Sequence, residues 1–166
     1  MADKNKNGNG AAADKSAPVP IQARMLSQYI KDLSFENPNI RKLLLSPGDA
    51  PNLNVEVSVA AEKIEGDLYE SSILFKGTAV NNIGTIYVME AIYAGVFKVE
   101  SVPEQALEPF LLISGPTMLF PFLRRLVADV TRDGGFPPLM LDPIDFAGLY
   151  FRRKQEDEKS QGTSVA

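Results

Sequence analysis

The stretch Gly84–Val99, GTIYVMEAIYAGVFKV, constrains how the remainder of the chain can be arranged. Read with a strand's period of two, Tyr87, Met89, Ala91 and Tyr93 point to one side and Ile86, Val88, Glu90 and Ile92 to the other. Both sides carry apolar residues, and one also carries an isolated acid. An antiparallel strand in a small monomer ordinarily alternates apolar with polar residues. This strand therefore lies deep in a large core or keeps one face for partners, and the alternation argument favours the second.

Upstream, Leu53, Val55, Val57, Val59 and Ala61 alternate with Asn54, Glu56, Ser58 and Glu62, the clearest strand pattern in the chain. Glu65-Gly66-Asp67 is hairpin-turn chemistry, and Leu68 to Val80 forms the next strand, with Tyr69, Ile73 and Phe75 inward and Glu70, Ser72 and Lys76 on the other side. Asn81-Asn82-Ile83-Gly84 turns the chain into the stretch quoted first. Nearer the N-terminus, Ile21 to Leu33 alternates imperfectly, with Met25, Ser27 and Tyr29 against Leu26, Gln28, Ile30 and Asp32, which predicts a bulged first strand ended by Asn37-Pro38-Asn39. Four consecutive strands with short turns predict an antiparallel sheet. Between the first two, Leu43, Leu44 and Leu45 form either a helical turn docked on the core or part of an exposed binding surface.

Beyond Val99 the period changes. Ser101-Val102-Pro103-Glu104 fits a capping box opening a short helix to about Leu112, which Gly115-Pro116 should break. Phe122, Leu123, Leu126, Val127 and Val130 recur at helical spacing over Pro121 to Arg132, and Gly134-Gly135 supplies the stop. Phe136 to Leu141 must be extended because of its prolines. Asp142 then caps, and Pro143 opens, a last helix carrying Phe146, Leu149 and Tyr150, with Arg152 to Lys154 at its C-terminal end. The organisation expected is a disordered arm over residues 1–18, one domain over 19–154 and a flexible polar tail over 155–166.

Composition closes most function classes. The chain has no Cys and no His, so disulfides, thiol nucleophiles, common zinc sites and His-based acid–base chemistry are excluded. No phosphate-binding loop, nucleophile elbow or dinucleotide fingerprint appears. Asp142 with Asp145, and Asp129 with Asp133, stand at helical spacing, but capping and a solvated face account for both pairs. The reading is of a non-enzyme with no catalytic residue, no metal and no cofactor. A net charge of -4 argues against nucleic acid and for a basic partner if the partner is charged. The start has no apolar signal region, and the apolar run Pro109 to Leu123 is broken by Ser114, Gly115 and prolines, so a soluble cytoplasmic protein without direct membrane insertion is expected.

Asp32, Glu56, Glu70 and Glu90 fall in the register opposite the inward Tyr29, Val55, Tyr69 and Tyr87, which makes one sheet face acidic. Glu90, flanked on its own face by Val88 and Ile92, is the mixture of apolar centre and steering charge expected of a protein docking surface. Phe110, Phe120, Phe136, Phe146 and Phe151 exceed what short helices can hide against one sheet, so oligomerisation or a client groove must cover some of them.

Three motifs together resemble the SecB family of bacterial export chaperones: Tyr29-Ile30-Lys31-Asp32-Leu33-Ser34-Phe35-Glu36-Asn37-Pro38, Leu119-Phe120-Pro121-Phe122-Leu123-Arg124, and Gly135 to Phe146. The resemblance covers Met25 to Arg153. It implies an α+β fold, a four-stranded antiparallel sheet with helices packed on one face, assembled as a dimer of dimers. It also implies a holdase that keeps exported precursors unfolded and passes them to the SecA motor ATPase without nucleotide or catalysis of its own. By position, Asp32, Glu36, Val88 and Glu90 match the family's motor-docking surface, and Tyr87, Met89, Ala91 and Tyr93 match the inward strand face whose packing influences tetramer formation, which makes these four the expected oligomer interface. A holdase needs exposed apolar surface for extended chain, and Leu43, Leu44, Leu45, Met118, Phe120, Phe136, Met140 and Phe151 are the residues expected to line its groove. The chain departs from the family in a longer N-terminal arm, in the lack of a tryptophan near Leu43 to Leu45, and in a tail short of acids. Two other readings stay open on the sequence: a chaperone dedicated to a toxin–antitoxin pair, and a non-enzymatic carrier of an apolar small molecule. A continuous surface groove favours peptide, a closed cavity a small ligand.

Overall fold

The computed structural model describes residues 20–162; the expected arm over 1–18 lies outside the described residues. Four long strands, β1 (Gln22–Glu36), β2 (Asn52–Glu65), β3 (Leu68–Asn81) and β4 (Gly84–Glu100), form one antiparallel sheet in the order β1-β4-β3-β2. The two-residue turn before β3 uses Gly66 at φ +54°, a conformation that glycine reaches without a Cβ penalty. The last three strands form a meander, and β1 lies beside β4, so the β1–β2 connection must travel from one edge of the sheet to the other. It does so past the β3–β4 turn, carrying helix α1 (Ile40–Leu45). Asn81 Nδ2 donates to the carbonyls of Pro47 (3.0 Å) and Asp49 (3.1 Å), and Asn39 Nδ2 to that of Thr85 (2.9 Å). The asparagines thus anchor the crossing as well as turn the chain.

β1 is bulged twice, at Leu26 and at Lys31, where its register against β4 skips one residue. Each bulge swaps the faces of the residues beyond it. Met25, Gln28, Ile30, Leu33 and Phe35 consequently share the helix-covered side with Phe97, Gly95, Tyr93, Ala91 and Met89, while Ser27, Tyr29, Asp32, Ser34 and Glu36 share the open side. The expectation that Tyr29 faces inward is corrected: its hydroxyl donates to Glu70 on the open side.

The expected break at Gly115-Pro116 does not occur. Helix α2 (Glu104–Pro109) passes through a π turn (Phe110–Ser114) directly into α3 (Gly115–Asp133). In the π turn the Gly115 N–H reaches the Phe110 carbonyl, and Pro116 has no N–H to offer Leu111. The orphaned Leu111 carbonyl instead accepts a bond from Ser71 Oγ at 2.7 Å, a fully buried contact from β3. The combined stretch Glu104–Asp133 is long and apolar enough, by length and composition, to cross a membrane. Leu119, Leu123 and Val127, however, are buried against the sheet, which makes it a core helix.

The expected capping box is also absent. Ser101 sits at φ +53°, the helix N-cap is Pro103, and no side chain caps it. At the other end Gly135 at φ +92° provides the stop, with the Phe136 N–H returning to the Thr131 carbonyl at 3.1 Å. Thr131, wholly buried, donates to the Val127 carbonyl at 2.8 Å and accepts from the Leu139 N–H at 2.9 Å, tying the extended segment to α3. The last helix, α4 (Phe146–Gly162), begins at Phe146 rather than at Pro143, because Asp145 and not Asp142 receives the Gly148 N–H at 2.9 Å; it continues well past Lys154. Residues Phe151 to Ser160 are exposed along it.

Replacing Ser71 by Ala leaves the buried Leu111 carbonyl without a donor. The expected loss is about 1–3 kcal/mol, seen as a lower urea midpoint at unchanged slope. Thr117→Ala, at an exposed hydroxyl on the same helix, should stay within about 0.5 kcal/mol of the parent.

Candidate functional site

Two surfaces stand out, one on each side of the sheet. On the helix side, α3 covers β3 and β4 but leaves the β2 edge open. There α1, the β3–β4 turn and the extended segment Gly135–Leu139 enclose an apolar cleft of about 580 Å³. Leu43, Leu44, Leu53, Tyr87 and Phe136 line this cleft. Tyr87 and Phe136 pack at 5.2 Å between ring centroids, and Phe35 stacks on Tyr87 at 5.5 Å, so the floor is aromatic. A second cleft, of about 560 Å³, runs on between β2 and the start of α4, lined by Val55, Val57, Met140, Ile144 and Leu149. Leu53 and Leu139 line both. The two clefts are therefore one open groove along the β2 edge, and not a closed cavity.

The open face of the sheet is a grid of cross-strand rows. Glu36, Val88, Thr78 and Asn54 form one row; Ser34, Glu90, Lys76 and Glu56 the next; Asp32, Ile92, Leu74 and Ser58 the third. Val88 and Ile92 thus lie among four carboxylates, and the one cation in these rows, Lys76, has its Nζ 3.0 Å from Glu90 Oε1. That contact pushes the Lys76 ammonium pKa up. Farther along the same face, Glu70 is only 8% exposed and receives Tyr29 Oη and Lys31 Nζ, the latter at 2.6 Å. Burial pushes the Glu70 carboxyl up, but the bonds from Lys31 and Tyr29 together outweigh it and hold the carboxyl below its ordinary value. The bond to Glu70, together with burial, raises the Tyr29 phenol to about 12.

The sequence-predicted residues divide accordingly. Asp32, Glu36, Val88 and Glu90 come together on the open face. Tyr87, Met89, Ala91 and Tyr93, expected at an oligomer interface, are instead buried inside the single chain, with Tyr93 stacked on the exposed Phe122 at 6.3 Å. Leu43, Leu44, Phe136 and Met140 line the groove. Leu45, 90% exposed, points away from it, and Phe120 is core, packed on Phe146 at 5.9 Å. Met118 on α3 and Phe151 on α4 are exposed outside both clefts. Sequence reading misses Leu53, Leu139, Ile144 and Leu149 as groove residues. Period assigns Leu53 and Leu149 to strand and helix cores, and it does not tell which core positions an edge leaves uncovered.

An open four-stranded sheet with helices on one face is the fold of the SecB-like chaperones. A SecB-like chaperone of Mycobacterium tuberculosis, solved in complex with a ChAD peptide from the HigA1 antitoxin, matches with a TM-score of 0.60 at 17% identity, covering 74% of this chain and 90% of that one. The family model for preprotein translocase subunit SecB matches residues 15–157. The protein-export protein SecB of Parvibaculum lavamentivorans is 46% identical over 160 residues, covering 94% of both chains, and that of Bradyrhizobium sp. 43% identical over 159 residues, covering 96% of this chain and 97% of its own. The chain belongs to the SecB family of protein-export chaperones.

Glu70 gives a pH prediction. Its folded pKa lies below the unfolded one, so its contribution is present above the ordinary value of 4.5 and is lost as pH falls through the lowered folded value. Below pH 4.5 the melting temperature of the parent should fall more steeply than that of Glu70→Gln. In the same variant, absorbance titration should show the Tyr29 phenol moving from about 12 back towards 10.0.

Proposed function

We propose that the protein captures unfolded precursors in the cytoplasm along the β2-edge groove and hands them to the SecA motor ATPase, which docks on the acidic face. The observation that carries this reading is the continuity of the two clefts through Leu53 and Leu139. An open apolar groove suits extended chain without sequence preference, whereas a small apolar ligand calls for an enclosed pocket. No reaction is required of the protein, and its ligands are held by apolar contact and charge alone.

The acidic face complements a basic partner, with Val88 and Ile92 as the apolar centre and Asp32, Glu36 and Glu90 steering. Assembly as a dimer of dimers is supported by features of the other edge. β1 is unpaired on its outer side, and Leu26, Ile30 and Leu33 on it, with Met118 and Phe122 on α3, are exposed. The inward strand residues act on this surface indirectly, through the stacking of Tyr93 on Phe122. A tetramer also multiplies weak groove contacts through effective concentration.

Leu44 is 76% exposed and lines the groove. Leu44→Ser should leave the melting temperature nearly unchanged while weakening capture of an unfolded precursor by about 1 kcal/mol, or about fivefold. Loss of stability in step with loss of capture would make Leu44 an ordinary packing residue. For the motor, Glu90→Lys should weaken SecA binding more than Glu62→Lys at equal ionic strength; equal losses would mean that net charge, and not this face, governs docking.

A further inference from the structure

The acidic face holds one cation at its centre. Lys76 lies in direct register with Glu90 on β4 and with Glu56 on β2. It is bound to Glu90 at 3.0 Å, while Glu56 accepts a bond from Asn54 at 3.1 Å and has no ion-pair partner among the described residues. Directly opposed residues in a sheet have Cβ atoms about 4.5–5.5 Å apart, so the flexible lysine stem reaches either carboxylate without moving the backbone. Lys76 and Glu90 are both about half exposed, and an ion pair so placed exchanges readily with other ions. Asp32 and Glu36, on the β1 flank, have no ion-pair partner among the described residues either. An incoming basic side chain therefore meets two unpaired acids on that flank and one acid already occupied.

We propose that Lys76 is an exchangeable counter-ion that sets the strength and selectivity of docking: a cation of the partner displaces it from Glu90, and Lys76 passes to Glu56. This rests on the assignment of the acidic face to SecA. In the free protein the Lys76 charge screens Glu90, so a stray cation gains little there, whereas a partner that also covers Val88 and Ile92 has the apolar contact to complete the exchange. Glu56 is then a positioning residue: it receives Lys76 and does not touch the partner.

The test uses the full chain and purified SecA. Dissociation constants are measured at two ionic strengths for the parent, Lys76→Met, Lys76→Gln, Glu56→Gln, the Lys76→Met/Glu56→Gln double variant and Glu90→Gln, after checking mass and melting temperature. Lys76→Met should tighten binding about three- to tenfold and steepen its salt dependence. Lys76→Gln repeats that arm with a polar side chain, which separates loss of charge from gain of apolar surface. Glu56→Gln should loosen binding about two- to threefold in the parent but change nothing in the Lys76→Met background, where no lysine needs a second site. Unchanged or weaker binding in both Lys76 variants overturns the proposal, as does an equal loss on Glu56→Gln with and without Lys76, since Glu56 then contacts the partner directly. If Glu90→Gln leaves binding unchanged, the docking assignment fails and the proposal with it. If Glu90→Gln weakens binding while the Lys76 variants do not strengthen it, docking stands and only the counter-ion role falls.

Discussion

Helix α3 lies against the sheet at a separation that only small residues permit. A Cβ on Gly95 would come within 2.8 Å of Leu119 Cδ2, and one on Gly115 within 2.6 Å of Ser71 Oγ. That approach buries Leu119, Leu123 and Val127 against Ile73, Met89 and Phe97, at about 1.5–3 kcal/mol for each large side chain fully removed from water. It also explains why a stretch containing Pro109, Gly115 and Pro116 stays helical: the carbonyl that the π turn leaves unpaired finds Ser71 directly beneath it. Packing and hydrogen bonding meet at one point, where β3 touches the helix.

The character of the surface derives from how narrow that contact is. A single helix covers the two central strands, and the two edges are left with exposed apolar residues, Leu53, Val55 and Ile64 on β2 and Leu26, Ile30 and Leu33 on β1. The β2 edge is roofed partly by α1 and the extended segment, which makes it a groove; the β1 edge has no such cover among the described residues. The sheet itself separates the groove from the acidic face, so the two surfaces share no side chains.

Glu70 and Glu90 show how position divides one residue type between a buried tie and an exposed surface. Both lie on the open face, but the bulge at Leu26 turns the Tyr29 hydroxyl, and that at Lys31 the Lys31 ammonium, onto Glu70, which becomes a buried cross-strand tie between β1 and β3. Glu90 has a single exposed ion-pair partner among the described residues and stays available.

The four strands, the antiparallel class, the apolar inward face of Tyr87, Met89, Ala91 and Tyr93, and the acids beside Val88 were legible in the amino-acid order, because a period of two and turn residues such as Gly66 and Asn81 are local signals. The family resemblance added the expectation of export-chaperone function. The strand order, the face of Tyr29, the continuous helix through Gly115-Pro116, the cap at Asp145 and the path of the groove emerged with the folded chain alone. Most of these depend on a partner far along the chain: β4 fixes the bulges of β1, Ser71 rescues the Leu111 carbonyl, and Leu53 meets Leu139 across the fold. Residues so distant in sequence leave no periodic trace of their contact, and the energies that select one pairing over another arise only when the chain has closed upon itself.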